Sequence, residues 1–249
     1  MFENIALAFQ GIWGHKMRSC LTMLGIIIGV ASVIAMLAIG QGSKQSIQDQ
    51  ISEMGSNMIM INPGNREKGG GGVRMSSSDM QTLKNEDYEA IRDKCTNYVS
   101  CISPVVNSSG QFINGSNNYP SSMTGVSLDY LEIRKLSVSE GEMFTQQDIA
   151  TSAKVCVLGK TIVDNVFPNE DPIGQTVRFG KIPFKVVGVL KAKGYNSMGQ
   201  DQDAVALAPY TTVQKRVSSI TYLNGIYASA KTEGVTRKAI DDITELLRE

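Results

Sequence analysis

The longest apolar stretch of the chain lies near its start, where residues 21–39 contain no charged side chain and only two hydroxyl side chains. No charge occurs between Arg18 and Lys44. A helix rises about 1.5 Å per residue and the hydrocarbon core of a bilayer is roughly 30 Å thick, so about 20 apolar residues cross it once. A buried helix of a soluble protein rarely needs so long an uncharged run. The pattern predicts one transmembrane helix over residues 19–42.

The segments on either side of this span have helical patterns of their own. In residues 1–18, four apolar side chains share one helical face, which predicts an amphipathic helix in the membrane interface with Trp13 at headgroup depth. The alternative is a longer, frayed start to the span. After the span, Ile47 and Ile51 are spaced i, i+4 among polar residues, which predicts a stalk helix.

The charges beside the span predict its direction. Lys16 and Arg18 precede it, whereas charges of both signs follow it. Because basic residues stay on the cytoplasmic side, we expect the N-terminus inside and the residues after about 43 outside. A cleaved signal peptide is the alternative, but its apolar region is only about 7 to 15 residues long. We therefore expect an uncleaved anchor.

The exported residues show two separate sets of strand and helix patterns. The first has strand 57–62, a helix capped by Asn85 and strand 99–106; the second has strand 204–208, helix 211–217, strand 225–230 and helix 235–248. Together they predict one sheet covered by helices in an α+β fold. The helix at 235–248 places Val235, Ala239 and Ile243 on one face, together with the leucines that follow.

The residues between these two sets differ from them in composition and in the pattern of strands and helices. Residues 107–122 are rich in Asn and Ser; strand 155–158, helix 161–167 and a hairpin of 177–179 with 182–190 follow. This predicts a small mixed α/β lobe, residues 107–202, inserted between the two parts of a larger domain, residues 43–106 and 203–249.

Two glycine-containing segments partly resemble phosphate loops. Residues 64–78 include four consecutive glycines at 69–72 but lack the Gly-x-x-x-x-Gly-Lys-Ser/Thr order, so they predict a mobile loop. Gly159-Lys160-Thr161 follows a strand, but the required earlier glycine is replaced by Lys154. We therefore expect no cofactor on this chain.

Charge and chemistry-bearing residues narrow the function further. Of 24 basic and 24 acidic residues, removing the two basic and one acidic in residues 1–43 leaves 22 and 23 outside, so no basic field attracts nucleic acid. The single histidine, His15, lies on the predicted cytoplasmic side, which excludes an exported Ser/His or Cys/His hydrolase. No Cys-x-x-Cys or paired-His spacing indicates a metal site. The sequence permits a Cys95–Cys101 disulfide, but we expect free thiols.

Small residues follow one face of the span. Gly25 and Gly29 form a Gly-x-x-x-Gly pair, and Ser32 continues the same face. Small side chains let another helix approach closely in lipid. The candidate functional residues are therefore Gly25, Gly29 and Ser32 for helix packing, and Trp13, Lys16 and Arg18 for membrane anchoring.

Two runs of sequence resemble the MacB-type ABC transporter permeases, a family related to FtsX. The first run is residues 18–33 with Gly40-Gln41-Gly42, and the second is Val157-Leu158-Gly159 followed by DPIGQTVR at 171–178 and FKVVGVL at 184–190. The resemblance implies a permease with four spans and a large extracytoplasmic domain after the first. That domain has a porter-like part and a small lobe called Sabre, here residues 107–202.

The resemblance also implies partners and a mechanism. Family members dimerise, as homodimers or heterodimers, in the bacterial inner membrane. A cytoplasmic ATPase, which binds the ATP, moves their outer domain, a mode called mechanotransmission, and efflux members pass drugs or peptides to a periplasmic adaptor. Because the chain starts at its interfacial helix, we expect a non-catalytic subunit with the ATPase on another chain. We also expect it to be truncated before the remaining spans.

Two alternatives stay open at this stage. Lipoprotein-release and cell-division relatives share the same architecture with different substrates. A membrane-anchored sensor domain also has one span and an exported α/β unit, but it needs a cytoplasmic output module, and only about 15 residues precede the span.

Overall fold

The structure is a computed structural model that describes residues 16–53, 57–64, 81–196 and 199–248. It divides into two compact units, Met1–Gln50 and Ile51–Glu249. The predicted mobile loop at residues 69–72 and residues 1–15 of the predicted interfacial helix, including Trp13, lie outside the described residues.

The described part of the first unit belongs to one long helix. Helix α1, Lys16–Glu53, has 38 residues, which corresponds to a length of about 57 Å. It contains the whole predicted span, 19–42, and it continues through Gly40 and Gly42 into the predicted stalk without a break. The apolar side chains of its span are exposed, as lipid-facing side chains would be.

The second unit is built on a nine-stranded sheet. The strands that the structure describes are β1 Met58–Ile61, β2 Val99–Asn114, β3 Asn117–Val126, β4 Val138–Gly141, β5 Val155–Leu158, β6 Thr176–Phe179, β7 Ile182–Leu190, β8 Val205–Pro209 and β9 Gly225–Ala230. Their order is β1-β9-β2-β3-β8-β5-β7-β4, and β6 pairs with both β2 and β7.

The double pairing of β6 closes six strands into a ring: β2, β3, β8, β5, β7 and β6. The closing contact is short, with Phe112 opposite Phe179 and Ile113 opposite Arg178. The Phe112 and Phe179 rings lie 4.8 Å apart, and Phe112 is fully buried. A Cβ atom at Gly110 would lie 2.6 Å from the Phe179 ring, so only glycine fits there without a shift of the ring.

Helices cover this sheet, which confirms the α+β fold class. They are α2 Asn85–Lys94, α3 Tyr130–Ile133, α4 Gln146–Thr151, α5 Lys160–Val166, α6 Tyr210–Thr212, a π-helix Val213–Val217, a 3-10 helix Glu233–Val235 and α7 Thr236–Leu246. Helix α7 buries Ala239 and Ile243, the face that the sequence predicts. Strands β5 and β9 have the predicted bounds, and the β6–β7 hairpin is present.

The structure corrects the predicted start of α2 and the predicted second strand–helix set. The cap position is Lys84, not Asn85: the Lys84 backbone N–H donates to the Asp87 carboxylate over 2.7 Å, and Asn85 is the first helical residue. Strand β8 pairs with β3 and β5. The predicted helix 211–217 is one α-helical turn followed by the π-helix.

The polar residues 107–122 form the outer arms of the β2–β3 hairpin. Residue 107 lies inside β2, so the chain has no break where the inserted lobe was predicted to begin. The bounds of that lobe stay a prediction. Cys95 and Cys101 are both free thiols, so the disulfide alternative is absent from the structure.

Candidate membrane anchor and coupling surfaces

The small-residue face of α1 is open along the predicted span. Gly25, Gly29 and Ser32 are spaced four and three residues apart, which places them on one side of the helix. A Cβ atom at either glycine would meet nothing within 4 Å. The Ser32 hydroxyl donates to the Ile28 carbonyl oxygen over 2.7 Å, so its polar group is paired within the helix. In lipid, small side chains on one helix face leave room for another helix to approach.

The predicted anchoring residues stand at the start of the same helix. Helix α1 begins at Lys16, and Arg18 is exposed directly before the span. The Arg18 backbone carbonyl accepts a hydrogen bond from the Thr22 hydroxyl over 3.0 Å. The structure describes the side chain of Arg18. Trp13 and the Lys16 side chain lie outside the described part of the chain.

The length of α1 fits a bilayer with margin. The apolar segment Met17–Ile47 is the one helix in the described residues that is long and apolar enough to cross a membrane. The uncharged residues 19–43 would extend about 38 Å as a helix, more than the roughly 30 Å of hydrocarbon. The excess fits the headgroup region or a tilted helix.

On the second unit, a groove lies beside β1, an end strand of the sheet. Strand β1 and helix α7 line it, with a volume of about 380 Å³. Met60 and Ile240 are each 43% exposed there, and Thr244 and Leu247 complete the wall beside α7. Among the strands that the structure describes, β1 pairs with β9 alone, so it forms one end of the sheet.

A second cleft of about 510 Å³, lined by several charged side chains, lies between α5, β4 and the loop that follows α5. Glu140, Asp164, Glu170 and Asp171 line it together with Lys160. The Lys160 ammonium lies 2.9 Å from an Asp164 oxygen, and this hydrogen bond raises the pKa of Lys160. Among the residues the structure describes, no three His, Cys, Asp or Glu side chains are placed to hold a metal ion.

Sequence reasoning missed a buried polar network around residues 210–217. Gln214 is only 2% exposed, and its amide is hydrogen bonded to Asn85, 129 positions earlier in the chain. No local pattern marks such a pair, because a lone glutamine among Thr, Lys and Arg predicts a solvated helix face.

Comparison with known proteins decides the family. A family model described as the MacB-like periplasmic core domain matches residues 19–246. The chain belongs to this family. The match includes the predicted span as well as nearly all of the second unit, so it confirms the family that the two sequence runs indicate.

Curated relatives agree with this assignment. A macrolide export ATP-binding/permease protein MacB from Syntrophobacter fumaroxidans is 42% identical over 237 residues, covering 94% of this chain and 33% of the relative. The protein of the same name from Chlorobium phaeobacteroides is 38% identical, covering 98% of this chain and 36% of the relative. The chain therefore spans about one third of the length of these relatives.

Solved structures match most of the chain. The crystal structure of the periplasmic region of MacB from Actinobacillus actinomycetemcomitans has a TM-score of 0.66 and 28% identity, covering 80% of this chain and 86% of that one. The extracellular domain of the noncanonic ABC-type transporter YknZ from Gram-positive bacteria has a TM-score of 0.62 and 16% identity, covering 77% and 92%. The second likeness concerns the fold alone. The chain thus combines a MacB-like periplasmic core domain with an N-terminal apolar helix.

Proposed function

We propose that this chain is the anchor and extracytoplasmic domain of a permease subunit in a MacB-like, ATP-driven exporter of the inner membrane. The observation that carries the proposal is the family match over residues 19–246. A single family model covers both the apolar helix and the core domain. ATP hydrolysis belongs to a cytoplasmic partner, and the N-terminus of α1 lies on the cytoplasmic side because Lys16 and Arg18 precede the span.

The helix supports a mechanical role rather than conduction. A single helix encloses no passage, but 38 residues without a break can carry a displacement from one side of a bilayer to the other. The open face at Gly25, Gly29 and Ser32 gives a second span a place to pack, so that two permease chains move together as a dimer. The exported domain would then act on substrate outside the membrane.

The substrates that we propose are drugs, peptides or similar compounds, passed through a periplasmic adaptor. Support comes from the relatives, whose names specify macrolide export. A lipoprotein-release or cell-division role of the same architecture is the alternative.

The orientation can be tested by labelling intact cells. In a background with the four native cysteines replaced, Lys44→Cys and Glu3→Cys each supply a single thiol on either side of the span. We expect a membrane-impermeant maleimide to label Lys44→Cys and to leave Glu3→Cys unlabelled until the cells are permeabilised. Labelling of Glu3→Cys alone would show the opposite orientation of the helix and would contradict the proposal.

The exporter role can be tested with the intact permease gene and its neighbouring ATPase. We expect the two to copurify and to lower macrolide accumulation in pump-deficient cells. An ATPase variant that binds but does not hydrolyse ATP is the matched control, and it should leave accumulation high. Stimulated lipoprotein release without any change in macrolide accumulation would favour the alternative role.

A further inference from the structure

The segment formed by residues 210–217 is packed between two helices that belong to different parts of the chain. It consists of α6 and the π-helix, and we call it the joint segment. Thr212 and Val213 are fully buried in it, and Gln214 is 2% exposed. π-Helical turns are rare and occur frequently at functional sites, so the irregular backbone here calls for a physical reason.

One side of the joint segment holds the C-terminal end of α4. Helix ends leave carbonyl groups without intrahelical partners, and side chains of the joint segment donate to three carbonyls at this end. The bonds are Thr211 Oγ1 to Ile149 O at 2.5 Å, Thr212 Oγ1 to Ala153 O at 2.8 Å and Arg216 Nε to Ser152 O at 3.3 Å. The end of α4 is therefore bonded to side chains of the joint segment, in addition to the backbone bonds that its own amides make.

The opposite side holds the first turn of α2. Asn85 Nδ2 donates to Gln214 Oε1 over 3.1 Å, and Gln214 Nε2 donates back to Asn85 Oδ1 over 3.4 Å. The same Gln214 amide also donates to the Tyr222 carbonyl over 3.3 Å. The Tyr88 and Tyr210 rings make an edge contact with centroids 6.0 Å apart. Because a buried amide without a partner is costly, α2 cannot shift alone.

Strand β3 supports the joint segment from below. A Cβ atom at Gly125 would lie 2.8 Å from Val213 Cβ and 2.9 Å from Tyr210 Cα. The backbone of β3 therefore touches the segment directly, and glycine is the residue that permits this contact. With contacts on three sides, the joint segment behaves as one packed body.

We propose that the joint segment is a conformational coupler, through which a displacement of α2 is passed to the end of α4. The coupling joins the part predicted as the larger domain, residues 43–106, to the lobe predicted at residues 107–202. The source of the displacement rests on the proposed function, since β1 and α2 follow the membrane helix in the chain. The coupling itself is a property of the contacts just described.

Hydrogen exchange in the full chain tests the coupling. Asn85→Ala removes the amide pair but touches nothing at α4. We expect exchange of the Ser152 and Ala153 amides, which donate to Ile149 and Asp148 carbonyls, to become about tenfold faster. The control is Gln111→Ala, which removes an exposed amide bond to Asn118 of 2.9 Å and should leave those amides unchanged.

The reciprocal variant keeps the proposal falsifiable. Thr212→Val removes the bond to Ala153 O at nearly constant volume, and linkage requires it to speed exchange of the Tyr88 amide. If exchange became faster only at amides next to each substituted residue, the proposal would be overturned. A uniform increase in exchange rates that includes the amides of β7 would overturn it as well. The measurement uses no ATPase and no nucleotide, so a failure to bind the ATPase would count against the exporter role and leave the coupling result unaffected.

Discussion

The closure of the six-stranded ring makes Phe112 the position where a single substitution should be most informative. Phe112 is fully buried, and its ring lies 4.8 Å from Phe179 on the opposing strand. Phe112→Ala removes the buried ring and leaves a cavity, which costs about 3 to 5 kcal/mol in well-packed cores. About 0.5 to 1.5 kcal/mol of this belongs to the aromatic pair itself.

Thermal unfolding of the full chain in detergent micelles, followed by circular dichroism of the strands, measures this cost. For a unit of this size, each kcal/mol shifts the midpoint by about 2 to 4 °C, so we expect a decrease of about 6 to 20 °C. Phe179→Ala and the double variant complete a cycle. The coupling free energy should be about 0.5 to 1.5 kcal/mol, because the two rings are direct neighbours.

The control is Ile113→Ala, the next residue on the same strand. Its side chain points to the other face and is only partly buried, so its loss should cost at most about half as much as that of Phe112. A strand slipped by one residue exchanges the two faces. An Ile113→Ala cost equal to or above that of Phe112→Ala would therefore refute the register and the ring closure that depends on it.

Three further predictions concern the helix face, a helix cap and a thiol. Gly29→Leu should abolish permease assembly in crosslinking while the melting of the exported unit stays unchanged, and Val30→Leu, on a different face, should leave both unchanged. Thr145 accepts a hydrogen bond from the Asp148 N–H at the start of α4, so Thr145→Ala should lower the free energy of unfolding in urea by about 1 kcal/mol. Burial, then a hydrogen bond with Glu132, raises the pKa of Cys101 from 9.0 to about 11. The contribution of the Cys101 thiol to the free energy of unfolding is therefore fully present below pH 9 and is lost as the pH rises through 11. Cys101→Ser should reduce this loss of stability.

Elements with strong local patterns were predictable from the sequence. Strands β5 and β9 are short runs of apolar or alternating residues, and the β6–β7 hairpin turns at Gly180, which has a φ of +59°. The apolar stripe of α7 matches its buried face. In each case, the signal for the element lies within the element itself.

The outer arms of β2 and β3 were not predictable in this way, because Asn, Ser and Gly have low strand propensity. Nine cross-strand pairs between Val106 and Asn114 hold the arms together, and the Phe112–Phe179 contact fixes them to the ring. The joint segment escaped prediction for a similar reason. Its Asn85–Gln214 pair joins residues 129 positions apart, which no window along the chain can contain.

The shortness of the strands that end the sheet affects whether neighbouring molecules can stack edge to edge. Among the described strands, the two that end the sheet, β1 and β4, are each only four residues long. Fibrillar stacking of identical strands needs about six or seven residues of uninterrupted, weakly charged chain, and β4 carries Glu140 within its four. Neither border therefore gives a second molecule enough backbone to seed a fibril, even when anchored neighbours collide repeatedly in two dimensions.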